Sequence, residues 1–125
     1  MPRFIGGQNR LDDLLVHVLF VCSRNQWRSP TAEQVWRKHA GLSVRSAGTN
    51  GRARQRLTVA YIRWADLVFV MGQKHKSRIQ ADFLDEIRFK PLHVLYIPDD
   101  YQYMDAELIE LVRQKVGPFI EDAMS

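Results

Sequence analysis

Residues Val18–Glu33 read VLFVCSRNQWRSPTAE: an apolar run ending at a cysteine, a polar loop, and the start of a helix. The apolar run reaches back to Leu14, giving LLVHVLFV over Leu14–Val21. Continuous, β-branched hydrophobicity of this kind predicts a strand buried on both faces, as in a parallel sheet. Ser29-Pro30 marks a helix start, with serine at the N-cap and proline at the first helical position. The helix is expected to run to about Ala40, with Gly41 as its stop.

Outward from this unit the pattern repeats. Leu42–Ala47 predicts a second strand closed by Gly48, and Thr58 caps a short helix to about Trp64. Leu67–Met71 predicts a third strand, Gln73–Phe83 a helix, and Leu92–Ile97 a fourth strand after Pro91. Pro98-Asp99-Asp100 reads as a turn. The last helix is expected from Asp105 to about Asp122, burying Leu108, Leu111, Val112, Val116 and Phe119, with a kink or break at Gly117-Pro118. Strands alternating with helices predict a doubly wound α/β three-layer sandwich on a four-stranded parallel sheet. Residues 1–13 read as an N-terminal extension and 14–125 as the domain. Ligands of such folds sit beyond the carboxyl ends of the strands, where the loops after the first and fourth strands lie.

The chain has 125 residues and a net charge of +4, the size of one domain. Its charges are segregated. Nine basic residues lie between Cys22 and Arg63 against one acid, Glu33, whereas seven acids follow Pro91 against Arg113 and Lys115. A half this basic attracts anions; a plain solvated surface would look the same. Cys22 is the one cysteine, which excludes an internal disulfide framework and a four-thiolate zinc site. It also fits a reducing compartment. No apolar run reaches membrane-spanning length, and the N-terminus has no signal-peptide pattern, so a cytoplasmic location is expected. The four histidines have no metal-ligand spacing. No cofactor and no metal are expected.

The loop from Cys22 to Arg28 is the chemical centre of the sequence. A loop of this length curls so that its backbone N–H groups point inward, and the following helix adds donors and the positive end of its dipole. An anion cradle of phosphate size results. Arg28 closes it with a bidentate fork, and Cys22 lies at its floor. The same donors favour the thiolate, the form that attacks phosphorus.

These residues resemble a family. VLFVC-x-x-N-x-x-RSP-x-AE, with SAGT at Ser46–Thr49, is similar to the low-molecular-weight protein tyrosine phosphatases, above all to their small bacterial members. The resemblance spans about Val16–Asp122. It implies that Cys22 is a nucleophile forming a phosphocysteine and that Arg28 binds phosphate. It implies also that Ser29 donates to the thiolate and that Asn25 shapes the loop. The substrate-binding set is then Ser23, Arg24, Asn25, Gln26, Trp27, Ser29 and Tyr101. The family's general acid is an aspartate after the fourth strand, usually followed by proline and then tyrosine. Here the order is Pro98-Asp99-Asp100-Tyr101; the spacing to Tyr101 favours Asp99, with Asp100 the second choice.

Two departures stand out. Arg24 replaces a small residue and suits a polyanionic substrate, or simply faces water. Trp27 stands where many relatives carry a second, protective cysteine. The aromatic wall that relatives form from an insertion is missing, and Trp27, Tyr101 and Tyr103 are the available substitutes. The expected activity is phosphomonoester hydrolysis, first of protein phosphotyrosine. A nucleotide or RNA-end phosphatase is the alternative, given the arginines between Arg45 and Arg63. A non-catalytic phosphate- or nucleic-acid-binding module is the reading from another class; the joint presence of Cys22, Arg28 and Asp99 argues against it. An arsenate reductase on this fold would need thiols from outside the chain.

Overall fold

The computed structural model describes residues 14–125; the expected extension over 1–13 lies outside the described residues. Four parallel strands form one sheet in the order β2-β1-β3-β4. They are β1 (Val16–Cys22), β2 (Leu42–Gly48), β3 (Leu67–Val70) and β4 (Leu92–Val94). Between and after them run α1 (Arg28–Trp36), α2 (Val59–Trp64), α3 (Gln73–Asp82), α4 (Leu84–Ile87) and α5 (Ala106–Met124).

The layers follow from the two-residue period of β1. Val18, Phe20 and Cys22 face a core shared with Ala32 of α1 and with Leu108, Val112, Val116 and Ile120 of α5. Leu19 and Val21 face a second core with Ile62 of α2, Ile79 of α3 and Ile87 of α4. Where the strand is covered on both sides, over Val18–Val21, it carries only apolar residues; its one polar side chain before Cys22, His17, lies at the half-buried start. β1 carries pairing on both edges, Val18 with Leu67 and Val44 among them. Strand order reverses between β1 and β3, so the crevice for a ligand opens at the carboxyl end of β1.

Several boundaries differ from the sequence reading. α1 starts two residues earlier, with Trp27 rather than Ser29 as its N-cap and no side-chain hydrogen bond there; the Ser29 hydroxyl is used inside the loop instead. Its regular part ends at Trp36 rather than Ala40, because the chain tightens into a turn with His39 N–H on the Trp36 carbonyl. Gly41 still takes the positive φ, 86°, that ends the connection. β4 stops at Val94 because Tyr96 adopts a left-handed φ of 54°. The N–H groups of Leu95 and Ile97 still reach the carbonyls of Val70 and Met71. α4 is an element the sequence reading lacked.

α5 runs unbroken through Gly117 and Pro118, against the expected kink. Proline removes one N–H from an exposed flank, while Val116 and Ile120 on either side are buried; packing holds the helix across the gap. The buried face includes Ile120 in place of Phe119, whose ring stacks on His93 at 4.0 Å between centroids. Asp105 caps this helix, accepting from the N–H groups of Glu107 and Leu108. At the far side, the Lys90 ammonium donates to the carbonyls of Ile62, Arg63 and Ala65 at the end of α2, and burial lowers its pKa.

Candidate active site

β1 delivers Cys22 to the sheet edge with its side chain 3% exposed. From there the chain makes a tight loop into α1. Asn25 turns it with a left-handed φ of 56°, a conformation asparagine tolerates better than most residues. The Asn25 side chain is fully buried and donates through Nδ2 to the hydroxyls of Ser29 and Ser46, both at 2.9 Å. Ser46 donates onward to Glu33. Ser29 Oγ lies 2.9 Å from Cys22 Sγ. Because Asn25 already donates to Ser29, the serine proton is left for the sulfur; its other acceptor, the Ala47 carbonyl, is 3.5 Å away.

The segment that follows β2 supports the loop. Backbone N–H groups of Thr49, Asn50 and Arg54 donate to the carbonyls of Cys22, Ser23 and Arg24. Arg54 Nε donates to the Asn25 carbonyl at 3.1 Å. Turning the loop's carbonyls outward onto these donors leaves its N–H face for an anion. Gly48 sits at the contact: a Cβ there would meet Ser23 O at 2.6 Å and Ala53 Cβ at 2.5 Å.

Arg28 is buried, 8% exposed, and its Nη1 donates to the Ile97 carbonyl at 2.9 Å. This bond joins the start of α1 to the segment after β4. A cavity of ≈510 Å³ opens over the loop, lined by Cys22, Ser23, Arg24, Gln26, Trp27, Arg28, Asn50, Lys74 and Asp99. A thiol, a buried guanidinium and a carboxylate therefore share one cavity. Trp27 is half-exposed on its wall.

Asp99 lines the cavity and Asp100 does not. Tyr101 is also outside it. Its ring packs on the core beside α5 and its hydroxyl donates to Glu107, a bond that pushes the phenol up to about 12. Tyr103 lines a neighbouring cavity with Gln26, Glu33 and Arg54. Asn25 is buried beneath the loop, a supporting position away from the cavity wall.

Lys74, Asn50 and His75 are the residues that sequence reasoning left without a role here. Lys74 stands at the start of α3 and reaches the cavity because β3 lies beside β1. His75 is 1% exposed; its Nδ1 accepts from Gly72 N–H at 3.0 Å and its Nε2 lies 2.9 Å from Ser23 Oγ. Its pKa is pushed down to about 4, first by burial and then by the charges of Arg28 and Lys74. No local motif announces either side chain; only the sheet order brings them to the loop. Among the described residues no three His, Cys, Asp or Glu side chains gather to hold a metal ion. No described helix is long and apolar enough to cross a membrane.

Comparison with known proteins agrees with this geometry. The family model of low molecular weight phosphotyrosine protein phosphatases matches residues 17–63. No curated protein sequence matches the chain. Among solved structures, a YwlE mutant from Bacillus subtilis is 25% identical, with 83% of this chain and 98% of that chain covered and a TM-score of 0.62. The tyrosine phosphatase Wzb from Escherichia coli, bound to phosphate, is 22% identical over 86% of this chain and 98% of that one, with a TM-score of 0.70. The YwlE arginine phosphatase from Geobacillus stearothermophilus is 20% identical over 87% and 96%, with a TM-score of 0.67. At such identities the last two speak for the fold. The sequence match over the loop and the second strand, joined to the shared fold, makes the chain similar to the low molecular weight phosphotyrosine protein phosphatases over residues 17–63.

Proposed function

We propose that the protein hydrolyses phosphomonoesters through a phosphocysteine at Cys22, with protein phosphotyrosine as its substrate. The observation that carries this reading is one cavity holding Cys22, Arg28 and Asp99 together, with Ser29 Oγ at 2.9 Å from the sulfur. The phosphoryl group sits in the loop, its oxygens held by backbone N–H groups and by the Arg28 fork. The thiolate of Cys22 attacks phosphorus, the P–O bond to the leaving group breaks, and Asp99 gives its proton to the departing oxygen. Asp99 then takes a proton from water, whose oxygen attacks phosphorus. The S–P bond breaks, inorganic phosphate leaves, and the Ser29 hydroxyl stabilises the returning thiolate. Positive charge comes from Arg28 and the loop donors, so no step calls on a metal.

Phosphotyrosine fits because the Trp27 ring stands half-exposed on the cavity wall, where an aryl group would stack. The test is a substrate panel in EDTA: phosphotyrosine and phosphoserine peptides, phosphoarginine (the substrate class in the name of one similar structure), mononucleotides and phosphate-ended RNA. Phosphotyrosine should turn over fastest, and Cys22→Ser should lose turnover while keeping anion binding. Acid quench during turnover should trap phosphate on Cys22. Wild-type rate in Cys22→Ser would overturn the mechanism; preference for RNA ends or phosphoarginine would overturn the substrate.

A further inference from the structure

We propose that His75 is a positioning residue of the phosphoryl-binding loop: it fixes the Ser23 hydroxyl as an acceptor, so that the hydroxyl's own proton points at an oxygen of the bound phosphoryl group. The inference rests on the phosphatase reading of the same site.

Its first support is the tautomer. Gly72 N–H is a backbone donor with nothing to accept, so the ring atom it meets at 3.0 Å, Nδ1, carries the lone pair. A neutral imidazole with Nδ1 as acceptor is protonated at Nε2. The 2.9 Å contact from Nε2 to Ser23 Oγ is therefore a donation by histidine and an acceptance by serine. Ser23 has one hydroxyl proton, and that proton is left for a third party. Ser23 lines the cavity over Cys22 and is its immediate neighbour in the chain. The Ser23 carbonyl is meanwhile held by Asn50 N–H at 2.8 Å, so both ends of the residue are fixed.

Burial and the two neighbouring cations keep the ring in this neutral form, since a protonated ring would set N–H against the Gly72 N–H. The alternative is that His75 is only a helix cap. A cap at this position needs one acceptor facing Gly72 N–H, which a shorter side chain supplies. The imidazole does more, because its second nitrogen spans from α3 to the loop after β1. The side chain is 1% exposed, so the span is rigid.

The test is a double-mutant cycle of His75→Asn and Ser23→Ala. Asparagine keeps an acceptor for Gly72 N–H but is too short to carry a second donor to Ser23. Two readouts are used: kcat/KM on p-nitrophenyl phosphate, and affinity for inorganic phosphate measured without turnover. Loss of one hydrogen bond to a charged group predicts about a ten-fold drop in both for each single variant. The double variant should be no worse than Ser23→Ala alone, within about two-fold, because histidine acts through the serine. If His75→Asn costs the same in the presence and absence of the Ser23 hydroxyl, its role is packing or capping and the proposal falls. If His75→Asn does not fold, Ser23→Ala decides alone: wild-type phosphate affinity would overturn the proposal. Should the wild-type protein fail to turn over any ester, the function above fails, while the phosphate-affinity cycle still tests the hydroxyl.

Discussion

Gly48→Ala should cripple catalysis by displacing the backbone of Ser23 and Arg24 while leaving every side chain of the cavity chemically intact. Gly48 has no left-handed φ, so alanine costs nothing in backbone strain. The penalty is steric. The added Cβ would lie 2.6 Å from the Ser23 carbonyl oxygen, 3.0 Å from the Arg24 carbonyl carbon and 2.5 Å from Ala53 Cβ. None of the three is the end of a flexible side chain; each moves only if backbone moves. Restoring ordinary contact of about 3.5 Å requires the Ser23–Arg24 peptide to retreat by the better part of an ångström. That peptide follows directly on Cys22 and forms the rim of the anion cradle. Overpacking of this kind costs roughly 1–3 kcal/mol of stability. A displacement of about 1 Å in a catalytic loop costs on the order of 10²-fold in rate. The assay is kcat/KM on an aryl phosphate beside urea unfolding, both at 25 °C. A Gly48→Ala protein with wild-type kcat/KM would refute the reasoning, because it would show the loop to be held by something other than this contact.

Gly117→Ala is the opposite case: a Cβ there meets nothing within 4 Å, so the helix should gain about 0.5–1 kcal/mol, read as a higher urea midpoint with unchanged kcat. Asp99→Asn should lose ~10²–10⁴-fold on esters with poor leaving groups and much less on nitrophenyl phosphate, whereas Asp100→Asn should show a small, leaving-group-independent loss; a steep dependence in Asp100→Asn would reverse the assignment. His75, held at a pKa of about 4 against 6.5 for a free imidazole, makes the unfolded chain bind more protons than the folded one between those values. Stability should therefore fall as pH drops from 6.5 toward 4, and this part of the acid limb should flatten in His75→Asn when unfolding is followed by urea titration at several pH values.

The parts of the fold legible in the sequence were those fixed by local pattern. β1 announces itself because Val18–Val21, buried on both faces, admits no polar residue, and His17 falls at the half-buried start of the strand. Asp105 announced the start of α5 because its carboxylate satisfies N–H groups two and three residues on. Ser29-Pro30 marks the helix start within two residues, but the Ser29 hydroxyl does not cap it; its partner is the buried Cys22, 7 residues back in the chain, the pairing that the family resemblance implies. The end of β4 was misplaced because nothing in Leu92–Ile97 marks Tyr96 for a left-handed φ. In the site, Cys22, Arg28 and the loop between them lie in one short segment and were visible. Lys74 and His75 come from 46 or more residues away from Arg28, and only the β1–β3 pairing brings them in. The placement of Tyr101 likewise depends on α5, whose Glu107 takes its hydroxyl.

The segment that bears Asp99 is clasped at both ends by the same helix. Upstream, the Ile97 carbonyl accepts from Arg28; downstream, Met104 N–H donates to the Thr31 hydroxyl at 2.8 Å. Arg28 and Thr31 stand one turn apart on α1. In the proposed mechanism an acid carried this way needs no hinge motion, and the entropy of ordering it is lost once, when the chain folds, rather than at every turnover. Product departs past a fixed wall. Turnover should accordingly be insensitive to solvent viscosity, with the breaking of the thiophosphate bond, not a hinge motion, as the slow event on substrates with good leaving groups.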